Sequence, residues 1–222
     1  KRMSLESSCH NRPDFPAVAA AAVQNRATDA VVYEMSVRDM TIDPAVNFTN
    51  KGKYLGLTET GKTTPGGKAA GLDHLADLGV THVQIMPFYD WVNKTGAEET
   101  WPYVSTFEYA SGDEKDYDWG YMPAQFNTPE GIFATKSGMD GSYASAIARI
   151  KEAKQMVNAL HGKGIRVIMD AVYNHTDSGQ SPLNKIAPYY YFRTSGASYT
   201  TASGCGDDIK SENYMTDKFI RE

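Results

Sequence analysis

RVIMDAVYNHT, from Arg166 to Thr176, decides the fold, because an apolar run passes directly into a carboxylate, an amide and an imidazole. In a parallel α/β protein, side chains at the carboxyl ends of the strands build the functional site. The run up to Met169 therefore predicts a core strand. The change of polarity at Asp170 predicts that a functional site lies at its carboxyl end.

Two further strands are predicted before this one. The first is residues 30–37, AVVYEMSV, which are followed by the charged pair Arg38 and Asp39, as at the polar end of a buried strand. The second is residues 81–87, THVQIMP, which follow a helical pattern ending at Gly79. The apolar positions of that helix are Leu72, Leu75 and Leu78. A helix that ends at glycine and leads into a strand within about three residues is typical of a short αβ loop.

A second helix is predicted from Ser142, where apolar residues recur at spacings of three and four. They are Ile147, Ile150, Ala153, Val157 and Leu160. The charged residues on its other faces are Arg149, Lys151, Glu152 and Lys154. Gly162 and Gly164 end this helix, and the strand that delivers Asp170 follows at once.

The resulting order is strand, helix, strand, helix, strand, with long connections after the strands and short ones after the helices. This asymmetry is typical of a (β/α) layout whose strand-end loops are enlarged for function. We therefore expect an α/β fold of this layout, in which three strands are predicted, whereas a closed barrel needs eight. The connection from Phe88 to about Gly141 is predicted to be an active-site rim. After Thr176, the aromatic stretch PYYYF leads to a helix predicted from about Ser211.

Composition excludes several classes of partner. The 222 residues are 41% hydrophobic, which is ample for a core, and the net charge of −5 provides no electrostatic footprint for nucleic acid. No run of about 18 apolar residues is present, so membrane insertion is not expected. Cys9 and Cys205 are the two cysteines of the chain, and their positions in the sequence give no argument for a disulfide or for a compartment. Residues 1–29 carry no clear period and are interpreted as a linker from a preceding region.

The motifs resemble those of type I pullulanases, debranching enzymes of glycoside hydrolase family 13, the α-amylase family. The matching stretches are VVYEMSVRDMT (31–41), GKYLGLTE (52–59), TPGGKAAGLDHLADLGVTHVQIMP (64–87), YDWGYMP (117–123) and DAVYNHT (170–176). YDWGY is the more specific of the last two, because DAVYNH is similar to a motif of the whole α-amylase family. The resemblance covers residues 30–222. It implies that they are the amino-terminal portion of a (β/α)₈ glycoside hydrolase catalytic domain, a partial TIM barrel with about its first three strands and long βα loops.

The resemblance implies retaining hydrolysis of α-1,6-glucosidic bonds in pullulan, amylopectin or limit dextrins. That reaction uses a carboxylate nucleophile and a carboxylic acid about 5 Å apart. In the family both belong to later strands, and no FRFD-like nucleophile motif occurs here. No catalytic carboxylate is therefore expected in this chain, and both are expected beyond Glu222. The chain by itself is predicted to be inactive. Its expected partners are an α-glucan substrate and the remaining part of the same catalytic domain, in the same polypeptide or as a second chain.

Three residues of DAVYNHT are implied to support the active site. Asp170 would hold the arginine that precedes the nucleophile, since an opposite charge favours the ionised carboxylate. Asn174 would brace the same region by hydrogen bonds, and His175 would donate a hydrogen bond to a hydroxyl of the bound glucose. The alternatives are a strand-end turn for Asp170 and an internally satisfied loop histidine for His175.

Aromatic residues of YDWGY are implied to contact the sugar. Tyr121 would place its ring under the glucose, whereas Trp119 and Tyr117 could equally be wall packing. The sequence departs from the family pattern at Asp118, where Asn is common, and at Met122, where Asp or Asn is common. The second departure puts a polar contact to glucose in doubt, although Met can fill the space.

Other signals leave alternatives open. The implied chemistry requires no cofactor, although calcium could be bound by acidic clusters, which are more often solvated turns. The acidic clusters are Asp113, Glu114 and Asp116 in one and Asp207 and Asp208 in the other. Three N-x-T sequons, at Asn47, Asn93 and Asn174, are expected to be unmodified. The family resemblance favours a secreted or cell-surface bacterial protein. Another α-amylase-family hydrolase, such as an isoamylase or an α-1,4-acting amylase, and a non-catalytic α-glucan-binding protein are the alternative functions.

Overall fold

The computed structural model describes residues 26–91, 119–135, 143–176, 179 and 181–221. Its centre is a three-stranded parallel sheet in the order β1-β2-β3. The strands are β1 (Val32–Met35), β2 (His82–Ile85) and β3 (Arg166–Met169). The central strand β2 aligns Ile85 with Met35 on one side and with Met169 on the other. The three strands predicted from the sequence are therefore confirmed, and their carboxyl ends meet at one edge of the sheet.

Two helices cover one face of this sheet. They are α1 (Leu72–Leu78) and α2 (Tyr143–Gly162), close to the two helices predicted from apolar spacing. Helix α1 ends at Gly79, whose φ of 74° lies in the left-handed region that glycine adopts without strain. The largest buried cluster joins these helices to the sheet through Leu75, Leu160, Val83 and Ile85. Burying these apolar side chains together is the main source of stability for this layer.

The opposite face of the sheet is open in the part of the chain that the structure describes. Val32 on β1 is 50% exposed and Ile168 on β3 is 39% exposed. The expectation that the first strand is buried is thus wrong for Val32, because this face of the sheet is not covered by the helices. The partial barrel itself stays a prediction, since three strands do not define closure.

The remaining elements are short. Two 3₁₀ helices span Ala27–Asp29 and Tyr54–Thr58, and a small antiparallel pair is formed by β4 (His175–Thr176) and β7 (Asp207–Asp208). The elements that complete the chain order are helix α3 (Pro182–Ile186), a hairpin of β5 (Thr194–Ser195) and β6 (Ser198–Tyr199), and helix α4 (Tyr214–Arg221). Helix α4 lies inside the helical segment predicted from about Ser211.

Several predictions fall outside the described residues. They concern residues 1–25 of the expected linker, residues 92–118 and 136–142 of the expected rim, Cys9, Asn93 and the first acidic cluster. Among the helices that are described, none is long and apolar enough to cross a membrane.

Candidate active site

The carboxyl end of β3 carries the first element of the site. Asp170 follows Met169 directly, and its main-chain N–H donates to the carbonyl of Ile85 at 2.9 Å. One of its carboxylate oxygens, Oδ2, accepts a 3.0 Å hydrogen bond from the Tyr121 hydroxyl. YDWGY and DAVYNHT, which are distant in sequence, therefore meet at the end of this strand.

His175 provides the second link between the two motifs. Its Nε2 lies 3.0 Å from the main-chain carbonyl oxygen of Tyr121. Because a carbonyl oxygen only accepts, Nε2 carries the proton and donates. The ring is buried, with 4% of its surface exposed, and Nδ1 has no partner among the described residues. In this tautomer Nδ1 is an acceptor, and the one N–H of the ring is already donated to the Tyr121 carbonyl.

The other sequence-predicted residues are placed differently. Asn174 is exposed, and its main-chain carbonyl accepts a 3.0 Å hydrogen bond from the N–H of Ile209. Trp119 is 61% exposed, whereas Met122 is half-buried. Tyr117 and Asp118 lie outside the described residues. The structure thus brings Tyr121, Asp170 and His175 together, and the functional roles of all these residues stay predictions.

Tyr89 was missed by sequence reasoning. It lies in the loop after β2 and is buried, and its hydroxyl accepts a hydrogen bond from the main-chain N–H of Val172, between Asp170 and His175. Its ring packs against Phe126, with ring centroids 6.4 Å apart. Burial raises the pKa of the Tyr89 phenol, so the group stays neutral. The one signal in the sequence is an aromatic residue soon after a strand, which does not reveal its partner.

A buried charge cluster lies beneath the same loop. Asp90 Oδ1 is 3.3 Å from Arg149 Nη1 on α2, and Asp90 Oδ2 accepts a 3.0 Å hydrogen bond from Gln125. Burial, together with the nearby negative charge of Glu130, raises the pKa of Asp90 to about 7. Glu130 is itself fully buried and accepts a 2.9 Å hydrogen bond from the N–H of Ile132.

Two charged residues of α2 are buried although they lie off its apolar stripe. The Arg149 side chain is 13% exposed, and Glu152 is 7% exposed. Glu152 accepts a 2.7 Å hydrogen bond from the N–H of Thr135. The segment that ends near Thr135 covers this side of the helix. Arg149 and Glu152, which the sequence placed on its charged faces, are therefore largely shielded from solvent.

Gly120 sets the position of the Tyr121 main chain. Its φ of 76° lies in the left-handed region, and a β carbon there would be 2.5 Å from the carbonyl oxygen of Pro87 at the end of the second predicted strand. Only glycine permits this approach. The loop that carries Tyr121 can therefore lie directly against the end of β2.

Asp208 corrects one interpretation of the acidic pair. It is buried, and its Oδ2 accepts 2.8 Å hydrogen bonds from the Thr200 hydroxyl and from the N–H of Ala202. These two hydrogen bonds, the one from Ala202 first, lower the pKa of Asp208. A solvated acidic turn is thus wrong for Asp208. No group of three or more metal-binding side chains occurs within the described ranges, and calcium binding stays a prediction.

Sequence comparison finds named relatives over most of the chain. A pullulanase of Bacillus subtilis is 39% identical over 196 residues, which are 87% of this chain and 24% of that protein. A chloroplastic isoamylase 3 of rice is 29% identical over 203 residues, covering 86% of this chain and 23% of that protein. No family profile matches the chain.

Solved structures agree with the sequence relatives. A type I pullulanase from Bacillus subtilis complexed with maltose superposes with a TM-score of 0.77 at 37% identity, covering 94% of this chain and 27% of that one. A pullulanase from Anoxybacillus complexed with maltotetraose gives a TM-score of 0.76 at 38% identity, covering 95% of this chain and 28% of that one.

Both comparisons relate the chain to one class of protein, whose named members are pullulanases and an isoamylase. Within that class, the chain is homologous to a segment of the pullulanases. It spans about a quarter of the length of the curated relatives that it matches.

Proposed function

We propose that this chain forms a substrate-positioning part of a retaining debranching hydrolase that cleaves α-1,6-glucosidic bonds in pullulan, amylopectin or limit dextrins. The observation that carries the proposal is the junction of the two motifs. Tyr121 donates to Asp170 and accepts from His175, both at 3.0 Å. An aromatic ring beside a carboxylate and an imidazole suits a pyranose, which offers an apolar face and a rim of hydroxyls.

Each residue of this junction has a distinct proposed role. Asp170, half-buried and already accepting from Tyr121, would also accept from a guanidinium that orients the nucleophile. His175 would lie beside the sugar and hold the Tyr121 main chain in place through Nε2. The Tyr121 ring would support the sugar. These contacts would stabilise the substrate most strongly as the sugar ring flattens toward the transition state.

The bond-breaking carboxylates would come from the rest of the catalytic domain, in the same polypeptide or in a second chain. Retention of the anomeric configuration requires the two carboxylates to be about 5 Å apart. The open face at Val32 and Ile168, and the outer edges of β1 and β3, support the proposal that further strands complete a barrel here. The 222 residues alone are accordingly expected to be inactive.

Product analysis on pullulan tests the proposal. The full-length polypeptide that contains this chain should release maltotriose, which marks α-1,6 cleavage, and Asp170→Asn should reduce kcat/KM about 100-fold or more because the amide cannot pair with a guanidinium. Products that retain the α-1,6 bond would instead show an α-1,4-acting amylase.

The isoamylase relative supports a second candidate, a debranching enzyme of isoamylase type. Comparing rates on pullulan and amylopectin separates the two, since a pullulanase is expected to cleave both efficiently. Glucan binding without any hydrolysis by the full-length polypeptide would favour a non-catalytic α-glucan-binding protein and would contradict the enzymatic proposal.

A further inference from the structure

The imidazole of His175 lies against the main chain of Gly206. A β carbon at Gly206 would be 2.9 Å from His175 Cδ2 and 3.0 Å from the carbonyl oxygen of Thr176. The φ of Gly206 lies outside the left-handed region, so its backbone conformation is open to other residues. Space, and not backbone conformation, is therefore what requires glycine at this position.

Gly206 belongs to a short stretch that pairs with the end of the motif DAVYNHT through main-chain hydrogen bonds. We call residues 203–209 the backing segment. Within it, Asp208 on β7 pairs with His175 on β4, and the N–H of Ile209 donates to the carbonyl of Asn174 at 3.0 Å. The hydrogen bonds from Thr200 and Ala202 to the Asp208 carboxylate hold this segment in place.

The other side of the same ring is also occupied. His175 Nε2 donates to the Tyr121 carbonyl at 3.0 Å. In an imidazole, Cδ2 and Nε2 are directly bonded, so any displacement of Cδ2 away from Gly206 also moves Nε2 and reorients Nδ1. The His175 ring is thus held between the backing segment and the Tyr121 main chain.

We propose that Gly206 is a positioning residue that fixes the His175 imidazole, so that Nε2 keeps its hydrogen bond to the Tyr121 carbonyl and holds the Tyr121 main chain beside the bound glucan. The consequence for sugar binding rests on the function proposed above, whereas the positioning of the ring does not. A cavity or a flexible loop at residue 206 would leave the ring free to rotate, and the close approach of the glycine main chain removes that freedom.

Gly206→Ala tests the proposal, with Gly162→Ala as its matched control. Gly162, the last residue of α2, has no atom within 4 Å of an added β carbon and a φ outside the left-handed region. In the full-length polypeptide, Gly206→Ala should shift the imidazole ¹⁵N–¹H resonance of His175, assigned with His175→Gln, and should lower kcat/KM on pullulan about 10-fold. Gly162→Ala should change neither. A His175 resonance that moves no more than in the control would overturn the proposal.

A double-mutant cycle keeps the proposal testable if Gly206→Ala folds poorly. In a His175→Ala background the clash with Cδ2 is absent, so Gly206→Ala should lower Tm by much less than it does with His175 present. An equal loss of Tm in both backgrounds would assign the clash to the Thr176 carbonyl and overturn the proposal. If the wild-type polypeptide does not cleave pullulan, the proposed function fails, while the resonance shift and the cycle still test the positioning.

Discussion

The Tyr121 hydroxyl donates a 3.0 Å hydrogen bond to Asp170 Oδ2 across a separation of 49 residues in sequence. Asp170 stands at the carboxyl end of β3, and Tyr121 lies in the long connection between β2 and α2. A carboxylate that accepts a hydrogen bond from a tyrosine is restricted in direction. This hydrogen bond therefore fixes the geometry of the candidate site more directly than the backbone of either loop.

Removing this hydroxyl should reduce function without removing the aromatic ring. Hydrogen bonds to charged groups contribute about 1.5 to 3 kcal/mol, so Tyr121→Phe should lower kcat/KM on pullulan about 10-fold or more. Steady-state kinetics of the full-length polypeptide measures this. Tyr143→Phe, at an exposed tyrosine of α2, is the matched control and should leave the rate unchanged. A Tyr121→Phe variant with wild-type kinetics would show that the bond does not orient Asp170 for the reaction.

Tyr89→Phe should loosen the turn that carries Asp170. The Val172 N–H would lose its acceptor on Tyr89, while the aromatic packing of residue 89 would stay. Leaving a buried donor without an acceptor costs about 1 to 3 kcal/mol of stability. Thermal unfolding should show the lower stability, and hydrogen exchange at the Val172 amide should become faster. Tyr214→Phe, at a 74% exposed position, is the comparison. Unchanged exchange at Val172 would contradict the predicted role of Tyr89.

Gly120→Ala should displace the Tyr121 loop. The added β carbon would lie 2.5 Å from the carbonyl oxygen of Pro87, and the left-handed backbone would be strained as well. We expect a loss of at least about 2 kcal/mol in the free energy of unfolding. Gly66→Ala, where an added β carbon meets only Thr64 at 3.9 Å, should have a small effect. Equal denaturation midpoints for the two variants would refute this reason for glycine in YDWGY.

Asp90 should make the stability depend on pH in a defined direction. Its pKa in the folded state is about 7, above the ordinary 3.8, because of burial and the charge of Glu130. The folded state therefore binds more protons than the unfolded state between about pH 4 and pH 7, and Asp90 lowers stability progressively as pH rises through that window. Ion pairing with Arg149 offsets part of the loss.

Asp90→Asn isolates this contribution. The Tm of the variant minus that of the wild type should become more positive from pH 4 to pH 7 and then level off. Asp77→Asn, at an exposed residue of α1, should show no comparable slope. A constant difference between Asp90→Asn and wild type across this range would mean that Asp90 does not bind a proton near neutrality.

Much of the secondary structure could be predicted from the sequence. Helix α1 follows from three leucines at helical spacing and a terminal glycine, and β3 follows from an apolar run that ends in a carboxylate. On α2, however, Met156 is fully buried although it was not assigned to the apolar stripe, and Arg149 is buried although it is charged. Periodicity reports which residues share a face, but the chain that packs over that face decides their burial.

The candidate site was only partly predictable. Asp170, His175 and Tyr121 came from motif resemblance, and the structure adds that two 3.0 Å hydrogen bonds connect them. Tyr89 carries only the weak signal of an aromatic residue soon after a strand and Gly206 carries none, since their importance depends on partners far away in sequence. For Tyr89, the partner Val172 is 83 residues away.

The sequence by itself determined the order of strands and helices and the polar positions at the strand ends, because propensity, periodicity and glycine placement act over a few neighbouring residues. Only the tertiary structure decided that Tyr121 reaches Asp170, that Asp90 is buried beside Glu130, and that Gly206 confines the ring of His175. These relationships arise where separate segments pack against one another, and excluded volume and desolvation at such contacts are properties of the folded chain as a whole.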